Sequence, residues 1–460
     1  MRRVRHPRAG TPARPSRRAA RPGVLHRIYS AVASGSLTRN GTRAPRARRP
    51  PPMPRAAPSS PDPAVDAAAL LRRIGFIGLV VAVPLAALVS RRAIVILVPI
   101  AVVILCLATA LDGAGRPVGA GLRRVLRTRA MAAGALLAGW TALSIVWSPF
   151  PGTASERLLN VAITVGLTLA GYLALPDRMR AANAYLLPVG VGAAALAAVA
   201  LGLFSGAALR FGLEDDSTLE RGAMLLALLV WPAVAWLRSR RRDVEGLGVA
   251  VAVALALVLA PSPIPLLALA AGAVAFALAA WRQQLGVRIA AGVAAGLVAL
   301  GPLVPFLLRP IVAPLLGPLH PLSQALKTWT RVVTSEPLRL LTGHGFETAL
   351  RGRIVGMLPP SAPTSFLFEI WYELGVVGAL AAAFVLWSAV LQSGRDHPSL
   401  APGAMATAMT AFASACLGMS VTVVWWLTSV AVAVLAFIAI ERGQFRTSRP
   451  KASALPGIKG

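Results

Sequence analysis

From Ile74 to Glu441 the chain alternates between apolar runs and short polar joins rich in Arg, Pro and Gly. A helix rising 1.5 Å per residue needs about 20 residues to cross a hydrocarbon core of about 30 Å, and these runs have that length. Twelve are read, near 74–90, 93–111, 130–149, 158–175, 184–206, 222–237, 246–261, 266–281, 289–308, 375–392, 401–421 and 425–441. Only Ser262-Pro263-Ile264-Pro265 separates the seventh from the eighth, and the last pair also reads as one long re-entrant unit. The pattern predicts an all-α integral membrane protein of about twelve transmembrane helices, its even count placing both termini on one side. The expected order is a basic N-terminal segment over 1–70, helices 1–9 over 71–308 and a large loop over 309–374. Helices 10–12 over 375–441 and a basic tail over 442–460 complete it.

Composition agrees. Hydrophobic residues make up 56% of the 460 residues and charged residues 14%, with a mean hydropathy of +0.67, values foreign to a soluble domain of this size. The net charge of +30 suggests nucleic acid until its distribution is considered, because Arg is concentrated in the first 60 residues and in short joins. Charge therefore reports topology, and no nucleic-acid partner is expected. Residues 1–70 are Pro/Arg/Ala-rich with no acid before Asp62, a composition that predicts disorder. No apolar stretch there makes a secretory signal. A mitochondrial-type presequence and an over-extended reading frame, with Met53 as the alternative start, both fit its composition. Cys106 and Cys416 sit inside apolar runs without disulfide or metal spacing.

Orientation follows from the joins, since Lys and Arg favour the cytoplasmic side. With the N-terminus inside, the inner joins hold fourteen arginines, among them Arg123, Arg124, Arg127, Arg178 and Arg180. The short outer joins hold only Arg91, Arg92, Arg157, Arg210 and Arg221. One large outer segment remains, from Arg309 to Tyr372.

Arginines kept outside against this preference call for a reason. Arg157, Arg210, Arg221, Arg331, Arg339, Arg351 and Arg353 are the candidates, because a guanidinium fork matches phosphate oxygens. The plainer readings are headgroup snorkelling and local pairing of Arg157 with Glu156 or Arg221 with Glu220. In the outer segment, Ser365, Glu369 and Glu373 recur every four residues and share one helix face. Two carboxylates so spaced repel unless compensated, and Arg351 or Arg353 is placed to do so. Gly375 and Gly378 allow close helix approach. Walker-type loops, His-Glu-x-x-His, Gly-x-Ser-x-Gly and metal-spaced cysteines are absent from the sequence, so metal-independent chemistry without a cofactor is expected.

The block Gly343-His344-Gly345, then Thr364-Ser365, nine residues, and Gly375-Val-Val-Gly378 resembles the signature of the O-antigen ligase and polysaccharide polymerase family of bacterial membrane glycosyltransferases. That signature reads His, then Asn, Ser or Gln, nine residues, and Gly-x-x-Gly; Thr364 stands at the histidine. Gly139-Trp140 through Trp147-Ser148-Pro149 to Arg157, Leu219-Glu220-Arg221-Gly222 into Trp231-Pro232, and Trp329 through Glu336-Pro337 to Phe346 are similar to other family segments, in order over roughly 130–392. The resemblance implies a polyprenyl-pyrophosphate-linked glycan donor, a lipid or glycan acceptor, and a site at the periplasmic face of the bacterial inner membrane, with both termini cytoplasmic. It implies Arg221, Arg157, Arg351 and Arg353 as substrate-binding residues. Glu369, His344 and Thr364 are the catalytic candidates, with His320 and Glu347 as further outer-segment groups. Thr364 is no base at neutral pH, and Ser262-Pro263-Ile264-Pro265 stands where the family carries another outer arginine. Two alternatives stay open: a non-catalytic member assisting envelope polysaccharide assembly, and a polytopic transporter or flippase. Against transport stand runs nearly free of ionisable groups and without evident inverted repeats.

Overall fold

The computed structural model describes residues 63–112, 123, 127–204, 216–396, 398–418 and 423–444. The N-terminal segment 1–62, Arg210 and the tail from 445 therefore lie outside the described residues. Among those described there are helices and turns but no strand. Nine helices among the described residues are long and apolar enough to cross a membrane, or up to ten if one bent pair is a single span, which is compatible with an α-helical membrane protein.

The helices that position the site are α1 (Pro63–Ala87), α2 (Ala93–Leu111), α3 (Arg129–Ser144), α4 (Pro151–Ala174), α5 (Ala181–Leu203) and α6 (Asp216–Ser239). α7 (Asp243–Val258), α8 (Ile264–Trp281) and α9 (Gln283–Ala299) follow. α1 begins eight residues before the expected boundary at 71. Pro63 at its start, Asp66 in its first turn and three consecutive alanines suit a helix N-terminus better than a disordered leader. α4 likewise begins at Pro151 and not near 158, which brings Arg157 onto the helix.

Side-chain direction fits a hydrocarbon surround. Along α2, Ile96, Ile100, Val103, Leu107 and Leu111 form an outward stripe, each about half exposed, while Ile94, Val98, Ala101 and Leu105 are buried. α6 runs through the centre, with 83% of its apolar window buried. Its Trp231 indole donates to Thr410 Oγ1 at 2.8 Å and stacks on Phe276. Gly190 and Gly272 meet neighbouring helices so closely that a Cβ would collide with the Val80 carbonyl and the Thr410 hydroxyl respectively.

The run expected over 289–308 is bent by 72°. Pro302 has no N–H to offer the Val298 carbonyl, and the Trp371 indole takes that acceptor at 2.7 Å instead. Beyond the bend the expected loop 309–374 is largely helical: α10 (Val304–Leu316), α11 (Pro321–Ser335), α12 (Arg339–Thr342) and α13 (Thr348–Ile354). α14 (Phe366–Asp396) starts nine residues before the expected helix 10 and is interrupted at Gly375, where φ is +62°. α15 (Ala401–Leu417) and α16 (Val424–Arg442) are separate helices, and α15 is shorter than the nine. A second apolar core joins this region to α14, with Trp329, Phe346, Phe368 and Trp371 buried in it.

Candidate functional site: an arginine cleft braced by a broken helix

The glycines of the signature block serve one local structure. At Gly375 the backbone leaves helical geometry, and a side chain there would strike the Leu341 carbonyl and the Gly343 amide. The break leaves the preceding carbonyls without helical donors. Tyr372 O accepts from the His344 N–H at 2.8 Å, Glu373 O from the Gly345 N–H at 3.0 Å, and Leu374 O from the Trp140 indole at 2.8 Å. Ser148 Oγ donates to Phe346 O at 2.8 Å, and Gly345, at φ +97°, lies against Ser148 with no room for a Cβ. Trp140, Ser148, Gly343-His344-Gly345 and Gly375, distant in sequence, thus meet in one knot.

The carboxylate pair of α14 is compensated in two different ways. Glu369 pairs with Arg353 at 3.4 Å, and Arg353 also donates to Pro363 O at 3.0 Å, with both side chains about nine-tenths buried. Glu373 accepts the Ala349 N–H at 3.0 Å, which holds α13 against α14. Arg351 points elsewhere. His344 stacks on Tyr372 at 4.0 Å between ring centroids, its Nδ1 lies 3.0 Å from Tyr372 O and its Nε2 3.0 Å from Glu336. His320 caps α11 by accepting the Leu322 N–H. Thr364 is exposed just ahead of α14.

The arginines form the open feature. A cleft of about 490 Å³ is lined by Arg91 and Arg92 from the α1–α2 turn, Arg157 from α4, Arg221 from α6 and Arg351 from α13. Thr153, Asn160 and Glu156 add polar groups, and Trp425 at the start of α16 supplies an aromatic wall. Arg221 lies over the Trp425 ring at 5.1 Å and donates to Arg91 O at 3.4 Å. Behind them Glu347, 1% exposed and in the left-handed region at φ +69°, faces Arg157 Nε at 3.3 Å and Arg351 Nε at 3.9 Å. Burial pushes its carboxyl above the ordinary range, while Arg157 and Arg351 pull back. Both arginines meet this carboxylate through Nε and also line the cleft.

The structure thus brings together Arg157, Arg221 and Arg351 of the sequence candidates and adds Arg91, Arg92 and Trp425. Arg353 and Glu369 lie apart in their own buried pair, and His344, with Arg339, lines a separate and much smaller cavity. The adjacent Arg91-Arg92 between two apolar runs was a readable signal; Trp425, inside an apolar run, offered none. No family model matches the chain, and no curated protein matches it.

Proposed function

We propose that this chain is an O-antigen ligase-like membrane protein that holds a polyprenyl-pyrophosphate-linked glycan at its periplasmic face, in the bacterial inner membrane, with both termini cytoplasmic. The observation carrying this reading is a cleft lined, among the described residues, by five arginines and one carboxylate, at one end of a bundle of apolar helices. A pyrophosphate offers the oxygens that several guanidinium forks bind together, and its charge grows as a glycosyl bond to it breaks. In transfer, an acceptor hydroxyl would attack the anomeric carbon, the bond to the pyrophosphate would break with its electrons leaving on phosphate oxygen, and the hydroxyl proton would pass to a base. Among the described residues lining the cleft Glu156 is the carboxylate, and it takes that role in this scheme. The twelve-span topology, the glycan substrate and the ligase or polymerase outcome all belong to this proposal.

One observation favours a second reading, that of a binding partner without turnover. His344, Glu369 and Thr364 all lie outside the lining of the cleft. In vitro transfer by the purified protein, with polyprenyl-pyrophosphate glycan as donor, separates the two. Transfer lost in Arg221→Ala and in Glu156→Gln supports the enzyme. Donor binding that needs Arg221 without any transfer supports the accessory role, and absence of donor binding refutes both.

A further inference from the structure

A second arginine-lined pocket, of about 280 Å³, lies at the opposite end of the bundle. Its rim carries Arg72 and Arg73 from α1 and Arg178 and Arg180 from the α4–α5 join, and the buried side chains of Leu175 and Met179 make part of its apolar floor. Arg72 precedes Arg91 by nineteen residues along one helix and its turn, about 28 Å at 1.5 Å per residue. Arg157, in the second turn of α4, and Leu175, its C-cap, are about 27 Å apart by the same measure. Both spans approximate the hydrocarbon thickness of about 30 Å, so the two pockets sit at the two interfaces of the membrane these helices fit.

The walls of this second pocket are fixed by contacts between helices. Arg72 pairs with Asp112 at the end of α2, joining α1 to α2. Arg442 donates to the carbonyls of Tyr172 and Leu175, and its own carbonyl accepts the Met179 N–H at 3.0 Å, so α16 holds the α4–α5 join in place. Arg73 and Arg180 are exposed. Among the described residues lining the pocket there is no carboxylate. A basic rim over an apolar floor, at interfacial depth and with several times the volume of about 30 Å³ that one water occupies, matches a phosphate headgroup with the start of its acyl chains. We propose that this pocket is a headgroup site for an anionic phospholipid of the surrounding membrane. The proposal does not depend on the function proposed for the first cleft.

The test titrates phosphatidylglycerol into phosphatidylcholine nanodiscs holding the purified full-length protein and follows the thermal unfolding midpoint. The wild type should show a saturable rise. In Arg73→Ala/Arg180→Ala, half-saturation should need about 25-fold more anionic lipid, at roughly a factor of five per cation near a charged surface. The exposed pair Arg288→Ala/Arg395→Ala, which removes the same charge elsewhere, should titrate like the wild type. Native mass spectrometry of the wild type should find retained phosphatidylglycerol, which guards against a variant that does not fold. The proposal is overturned by equal weakening in the two arginine pairs, by no saturable rise, or by sodium phosphate alone producing the same saturating shift.

Discussion

Removing Arg353 distinguishes a structural Glu369 from a catalytic one. The two side chains are about nine-tenths buried, and Arg353 holds the Ala362 and Pro363 carbonyls together with the Glu369 carboxylate. Arg353→Met keeps much of the apolar stem but strips the guanidinium from a buried carboxylate, a change that costs about 3–5 kcal/mol. Glu369→Gln keeps the shape and removes the charge, so it should cost less, about 1–2 kcal/mol. In the double variant no buried charge is stranded, and the loss should be smaller than the sum of the singles by about 2 kcal/mol or more. Equilibrium unfolding of the four proteins in mixed micelles measures that coupling. The same four proteins assayed for donor binding should behave alike once folded, because the pair does not line the cleft. A coupling under about 0.5 kcal/mol would refute the account of a buried, mutually dependent pair. So would a Glu369→Gln protein of unchanged stability that had lost all transfer.

The remaining expectations concern the break, the cleft and the carboxylate behind it. Gly375→Ala places a Cβ at φ +62° against the Leu341 carbonyl, and should lower stability by about 3 kcal/mol or more, read as loss of folded protein in detergent. Arg221→Ala should weaken binding of a polyprenyl pyrophosphate by about 10-fold to 100-fold in an equilibrium assay, as expected of a lost charge-assisted contact, whereas Arg331→Ala should not. Glu347 has its folded pKa raised, so its neutral form favours the fold: that contribution is complete below its ordinary value of 4.5 and is lost as pH rises through the higher folded value. Acidification also frees Arg157 and Arg351 from their internal counter-charge, so pyrophosphate binding should strengthen through that window. Glu347→Gln should hold the strong-binding state to higher pH, and a marked destabilisation of this variant at pH 7 would show that its ion pairs outweigh its burial.

What the sequence conveyed depended on the type of interaction. Apolar run length marked the long helices, because spanning depends on composition over about twenty residues and not on any partner. The bend at Pro302 and the break at Gly375 were not visible as such, since a proline or glycine in a run is compatible with a straight helix until the acceptors of Trp371 and Trp140 are known. The segment beyond Arg309 read as a loop because its helices are short and interrupted, and α11 has an apolar face only on one side, where Leu326 and Trp329 are buried. Arg157, Arg221 and Arg351 were legible from charge against topological preference. The division of labour between Arg351 and Arg353, two residues apart, was not: it is set by which carboxylate each meets across the fold, Glu347 or Glu369.

The break at Gly375 also has a bearing on biosynthesis. The donors of His344 and Gly345 find their acceptors only on Tyr372 and Glu373, and the Trp140 indole waits for a carbonyl 234 residues downstream. During synthesis the Gly-His-Gly segment and Trp140 therefore both precede the carbonyls that accept from them. Arg351 is carried by α13, which α14 holds through the Glu373 carboxylate, so a chain stalled before Phe366 would already carry Arg91, Arg92, Arg157 and Arg221 yet lack the contact that fixes α13 beside them. Completion of the arginine cleft is in this way tied to the late helices.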